Sequence, residues 1–225
     1  MHLTTSFQAA CGQGNLQEAK RLLKVKCVGL HTGYAFEAAC ANGHLTVARW
    51  MLRVKPDNDV ETRIEGAFQF ACGYGQLTVA RWLLLVKPDI DVMAFNEFAF
   101  RMACSNGHLT VARWLLSLKP YINTSVDHYR AFQLACYNGH LTVARWLLRV
   151  NPDIDVSAHS ERAFRFACGN GRLTIARWLL LVKPDIDVRA RDDGAFQVVC
   201  NNDHFTVARW LLSVKPDINS MIFSA

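Results

Sequence analysis

The stretch Ala131-Phe-Gln-Leu-Ala-Cys-Tyr-Asn-Gly139-His-Leu-Thr-Val-Ala-Arg-Trp-Leu-Leu-Arg-Val150-Asn-Pro-Asp-Ile-Asp-Val156 decides the fold, because it recurs. Cys40, Cys72, Cys104, Cys136, Cys168 and Cys200 stand 32 residues apart. The six Trp, from Trp50 to Trp210, and the six Pro, from Pro56 to Pro216, keep the same step. A fixed period of this size is the mark of a stack of supersecondary units, each unable to bury its apolar faces alone.

Within a unit the apolar spacing changes twice. Phe132, Ala135 and Cys136 lie three and four apart, the spacing of a helix face. Gly139 accepts a left-handed backbone and stops that helix. Leu141, Ala144, Leu147 and Leu148 mark a second helix, which Pro152 ends. Asp153-Ile-Asp-Val156 reads as extended linker. A degenerate unit precedes the six: Phe7, Ala10, Cys11, Gly14, Leu16, Ala19, Leu22 and Leu23 keep the frame, with Arg21 for Trp and Cys27 for Pro.

The rest of the 225-residue chain agrees with a globular protein: 51% hydrophobic, 20% charged, 6 Pro and 13 Gly. No apolar run reaches the roughly 18 residues of a membrane helix, and Met1 to Ala10 lacks the pattern of a secretory signal. The net charge of +6 is spread thinly, since the cations and carboxylates at repeated positions nearly cancel. The excess gathers at Lys20, Arg21, Lys24 and Lys26 of the first unit.

The run Asn138-Gly-His-Leu-Thr-Val-Ala-Arg-Trp-Leu-Leu148 resembles the second half of the ankyrin repeat, N-G-H-L-E-V-V-K-L-L-L. The likeness holds in register over seven units, the first degenerate. It implies an all-α fold: an ankyrin-like helix-turn-helix repeat solenoid with short tips in place of full β-hairpin fingers. The family's T-P-L-H opening is replaced, here by Arg130-Ala-Phe-Gln133, and the unit is 32 residues rather than 33. We expect one repeat domain over residues 1–225: a capping unit at 1–30, six units over about 31–219, and a tail at 220–225. Arrays this regular are also similar to the ankyrin proteins of large DNA viruses, which implies a viral protein acting inside a host cell.

Thr32, Ile64, Asn96, His128, Ser160 and Asp192 open the first helices, and four of them are good N-caps. They predict that the first helix begins about two residues early and that the tip is short.

No chemistry attaches to the recurring residues. Neighbouring packed helices lie about 8–10 Å apart, beyond the roughly 7 Å reach of a disulfide, so the Cys ladder predicts reduced thiols in a cytoplasmic or nuclear compartment. His44, His108, His140 and His204 follow the inter-helix turn, where the ankyrin resemblance implies that they brace it; Gln76 and Arg172 stand there in two units, which argues against a shared metal or catalytic role. The Trp ladder beside the Arg ladder, Arg49 to Arg209, predicts packing between repeats, with Arg stems along the rings. Neither a phosphate loop nor a nucleophile motif is present, so we expect no enzyme, no cofactor and no metal.

Function should lie where the units differ. The tips differ in each unit. On the first helix Glu37, Gln69, Arg101, Gln133, Arg165 and Gln197 share one position, and Ala41, Gly73, Ser105, Tyr137, Gly169 and Asn201 another. In the ankyrin family these positions line a concave binding face. The expected partner-binding residues are Phe95, Arg101, His128, Tyr129, Arg130, Tyr137, His159, Arg162, Arg165 and Arg191: aromatic anchors among arginines, suited to an acidic protein partner. Two other readings compete with this scaffold: nucleic-acid binding along the Arg/Trp ladder, and recruitment of a substrate to a larger assembly. The last unit keeps Trp210, Leu211 and Leu212 where the first has polar residues, which predicts end-to-end self-association unless Met221, Ile222 and Phe223 fold over that face.

Overall fold

The computed structural model describes residues 2–25, 32–54, 59–92, 94–118 and 126–216, leaving aside the side chains of 2–5, 59, 95–96, 126–128 and 192. Among these every regular element is a helix, and no strand occurs. None of the described helices is long and apolar enough to cross a membrane. The chain forms two compact units, divided near residue 122, with 104–107 joining the second.

The first unit holds α1 (His2–Gly12), α2 (Leu16–Val25), α3 (Thr32–Ala41), α4 (Leu45–Val54), the single turn α5 (Asp59–Thr62), α6 (Ile64–Gly73), α7 (Leu77–Val86), most of α8 (Ala94–Ser105) and α9 (Leu109–Leu118). First helices pack side by side, α1 on α3 and α3 on α6, and each pairs with its second helix, α1 with α2, α3 with α4 and α6 with α7. The second unit repeats the scheme with α10 (Val126–Asn138), α11 (Leu141–Val150), α12 (Ala158–Gly169), α13 (Leu173–Val182), α14 (Ala190–Asn201) and α15 (Phe205–Val214).

The core of each unit is built on one recurring residue. Phe7, Phe36, Phe68 and Phe100 in the first unit and Phe132, Phe164 and Phe196 in the second are all fully buried, each on a first helix. The Trp of the following repeat meets this Phe: Phe36 with Trp82 at 6.5 Å between ring centres, Phe68 with Trp114 at 6.2 Å, Phe132 with Trp178 and Phe164 with Trp210 at 6.3 Å. Above the same rings lie the guanidinium groups of the preceding repeat, Arg49, Arg81, Arg145 and Arg177, at 5.9–6.0 Å. The Arg/Trp ladder is therefore an inter-repeat joint. Trp146 and Trp178 are buried, more deeply than a ladder of half-exposed rings would have it.

The inter-helix turn closes by backbone geometry. The His44 amide donates to Ala39 O at 2.8 Å and the Gly43 amide to Cys40 O at 3.2 Å, with Gly43 at φ +80. A second demand also fixes glycine here. A Cβ on Gly75 would lie 2.5 Å from His108 Nδ1, and one on Gly107 2.5 Å from His140 Nδ1. The His braces the turn of the repeat before it, and Gln76 and Arg172 fill the same place against Gly43 and Gly139.

His140 carries a pH dependence. Burial lowers its pKa and Arg172 lowers it further, against a hydrogen bond to the Ser105 backbone that raises it. The unfolded chain then binds the proton more readily, so the stability held above pH ~6.5 is lost as pH falls through the depressed folded value. We expect the thermal midpoint to fall on acidification below that point, and His140→Gln to flatten the fall. An unchanged slope in the variant would place the dependence elsewhere.

The seven described cysteines are free thiols, and all but Cys200 are buried. Burial pushes Cys11 up to about 12 and drives Cys40, Cys72, Cys136 and Cys168 well above the ordinary thiol range. Cys27 lies outside the described residues. In a Cys27→Ser chain at neutral pH, iodoacetamide should modify Cys200 alone, read by peptide mass mapping. Modification of the buried ladder at a comparable rate would contradict this packing.

The tips depart from the expected caps. The positions preceding α6, α12 and α14 (Arg63, Ser157 and Arg189) make no side-chain capping bond. Ser160, expected to be a cap, is left-handed at φ 57 between His159 at φ 56 and Glu161 at φ 59, and Arg191, Asp193 and Glu97 are left-handed too. Each such residue costs about 1–2 kcal/mol. Partners on both sides stabilise the turn: the Glu161 amide donates to Ser157 O at 3.0 Å, and Arg165 Nε donates to Ser160 O at 2.8 Å. α3 and α6 do begin at the predicted Thr32 and Ile64. The side chains of Asn96, His128 and Asp192 lie outside the described residues.

Candidate interaction surface

The second unit gathers most of the expected residues on its first helices. Tyr137 meets Phe166 edge-on at 5.6 Å, and the Arg162 guanidinium lies 4.8 Å over the Phe166 ring. Arg165 is half-buried beside them. Its guanidinium is held by the carbonyls of Ser160 and, at 3.4 Å, of His159. Burial and then the charges of Arg191 and Arg162 lower its pKa, which places three cations within electrostatic reach of one another. Arg130, Arg162, Arg191 and His159 are exposed. The result is an aromatic pair bordered by fixed positive charge.

Tyr129 has a more structural place than the sequence suggests. Its ring lies 5.3 Å from His159, its hydroxyl donates to Ala158 O at 2.9 Å, and Gln133 Nε2 donates to that hydroxyl. Burial pushes its phenol up to about 12. It forms one wall of a cavity of about 260 Å³ against the linker residues Asn151, Asp153 and Ile154. Arg101 is half-buried on α8 in the first unit. The side chains of Phe95 and His128 lie outside the described residues.

Two expectations about the first-helix surface are corrected. Gly73, Ser105 and Gly169, read as surface positions, are buried, because the next repeat leans on them. A Cβ on Gly73 would come within 3.1 Å of Met102 Cβ, and one on Gly169 within 2.7 Å of Val198, while Ser105 accepts hydrogen bonds from Asn138. Glu37 and Gln133 are buried as well. Only Tyr137 and Asn201 stand exposed at the position shared with Gly73.

Sequence reasoning missed Phe166 and a second aromatic group in the first unit. Tyr34, Phe70 and Tyr74 are each 40% exposed or more and border a cavity of about 300 Å³. Arg63 lies 4.1 Å over Tyr34 and reaches Glu37 at 3.6 Å. The signal was the position holding Phe70, Met102, Leu134, Phe166 and Val198: apolar in every unit, yet one step outside the buried frame.

No curated protein matches the chain. A family model for ankyrin repeats, in three copies, matches residues 68–160. The matched segment carries the same turn, the same Phe–Trp joint and the same 32-residue register as the repeats on either side of it. On these grounds residues 68–160 are similar to ankyrin repeats, and the repeats on either side continue the same register.

Proposed function

We propose that the chain is a protein-binding scaffold whose first-helix surface in the second unit receives an acidic partner. The Tyr137–Phe166 pair, with Arg162 over the ring and Arg165 and Arg191 beside it, carries this reading. Ankyrin repeats act in protein–protein contacts, and interface energy concentrates in aromatic and Arg side chains at such positions. The left-handed tip supports it further: Arg165 is held by tip carbonyls before any partner arrives, so little side-chain entropy is lost on binding. The nucleic-acid reading finds less support, since the ladder guanidiniums are occupied in stacking on the next Trp.

The test is capture by the intact chain against a Tyr137→Ala/Phe166→Ala/Arg162→Ala chain of equal helical signal. A partner held by the first and lost from the second supports the reading. Equal capture by both overturns it.

A further inference from the structure

The second-helix ladder is broken at its start. Arg49, Arg81, Arg145 and Arg177 each cover the Trp of the next repeat. In α2 the Arg position holds Lys20 and the Trp position holds Arg21, 29 residues before Trp50. A flexible cation thus stands where later repeats place a rigid indole. Arg21 lines a groove of about 490 Å³ between α2 and α4. Trp50, Leu23 and Val54 form its apolar walls, and Lys20, Arg21 and Lys24 its rim.

The charge around this groove is one-sided. Among the described residues its lining contains three cations and Gln17 but no carboxylate. The nearby Glu18 clamps Arg21 from outside the lining, Arg21 Nε donating to Oε2 at 2.7 Å and Nη2 to Oε1 at 2.6 Å. That leaves Lys20 and Lys24 for an incoming anion. The volume lies in the range of ligand sites and suits one or two large side chains.

We propose that this groove docks a short acidic segment of a partner protein, seating an apolar side chain on Trp50 and carboxylates on Lys20 and Lys24. Single-stranded nucleic acid fits less well: strand binding uses successive stacking platforms, and this groove has one ring beside two aliphatic walls. The surface belongs to the second helices and is independent of the Tyr137–Phe166 surface.

The test uses the full chain and fluorescence anisotropy of a labelled peptide in which glutamates flank a central Leu-Phe pair. Its Glu→Gln counterpart and an oligothymidylate of similar length serve as comparison probes. The acidic peptide should bind, and the Glu→Gln peptide should bind about tenfold or more weakly. Arg21→Trp, which restores the ladder residue and fills the groove while keeping both lysines, should abolish binding without lowering the thermal midpoint. Lys20→Ala/Lys24→Ala, a surface change that leaves the core intact, should weaken binding by about tenfold. Tyr137→Ala/Phe166→Ala should leave it unchanged. The proposal is overturned if the wild-type chain does not bind the peptide, or if Arg21→Trp, or the double Ala variant should the former not fold, binds as tightly as wild type. Tighter binding of the oligothymidylate than of the peptide overturns it as well.

Discussion

Trp178→Ala should lower the unfolding free energy by about 3–5 kcal/mol, the range for truncating a large buried aromatic. Trp178 is 9% exposed, its ring packs on Phe132 at 6.3 Å, and Arg145 lies over it at 5.9 Å. Truncation leaves the fully buried Phe132 beside a cavity and strips the Arg145 stem of the ring it lies on. Because a repeat touches only its neighbours, the loss should fall on the coupling between two helix pairs and broaden urea unfolding. Trp50→Ala should cost less, since its ring already borders an open groove. Equal costs at the two positions would show that the Phe and Arg contacts contribute little.

Gly75→Ala should cost about 2–4 kcal/mol, from two separable sources. The backbone is left-handed at φ +78, which costs an L-residue about 1–2 kcal/mol. The new Cβ would also stand 2.5 Å from His108 Nδ1, a separation that forces the imidazole away. Combining it with His108→Ala removes the clash and leaves the conformational cost. A double-mutant cycle should therefore return a coupling of about 1–2 kcal/mol. Strict additivity would show that His108 yields without resistance and that glycine is there for its backbone alone.

The architecture was legible because it rests on residues that recur. The step of Cys, Trp and Pro announced the repeat, and the Phe132 spacing announced the buried Phe of each first helix, before any contact was known. A ladder of Trp preceded by Arg also announced the joint. The tips were less legible. Their left-handed run at His159–Glu161 is carried by residues with no glycine among them, so nothing in the local sequence marks it. Contacts to Arg165 and Ser157 impose it, and these appear only once the helices are placed. The candidate surface was half legible. Tyr137, Arg162 and Arg165 stood out as unit-specific aromatic and basic residues, whereas Phe166 was hidden among residues that looked like frame. Gly73, Ser105 and Gly169 looked open because variation suggested exposure. In fact their small size answers the bulk that the next repeat sets against them.

The joint between repeats has a direction. Within each unit a Phe, a turn Gly and an Arg on one repeat receive a Trp and a His, or its substitute, from the repeat that follows. Every module thus carries a socket at one edge and the matching plug at the opposite edge, built from residues that barely change along the chain. Excising residues 163–194 would join Arg162 to Ala195 and remake the same fitting, and duplicating them would do likewise. Such a chain gains or loses reading surface in whole increments, by copying or dropping one segment of its gene, while the fittings that hold it together stay as they were.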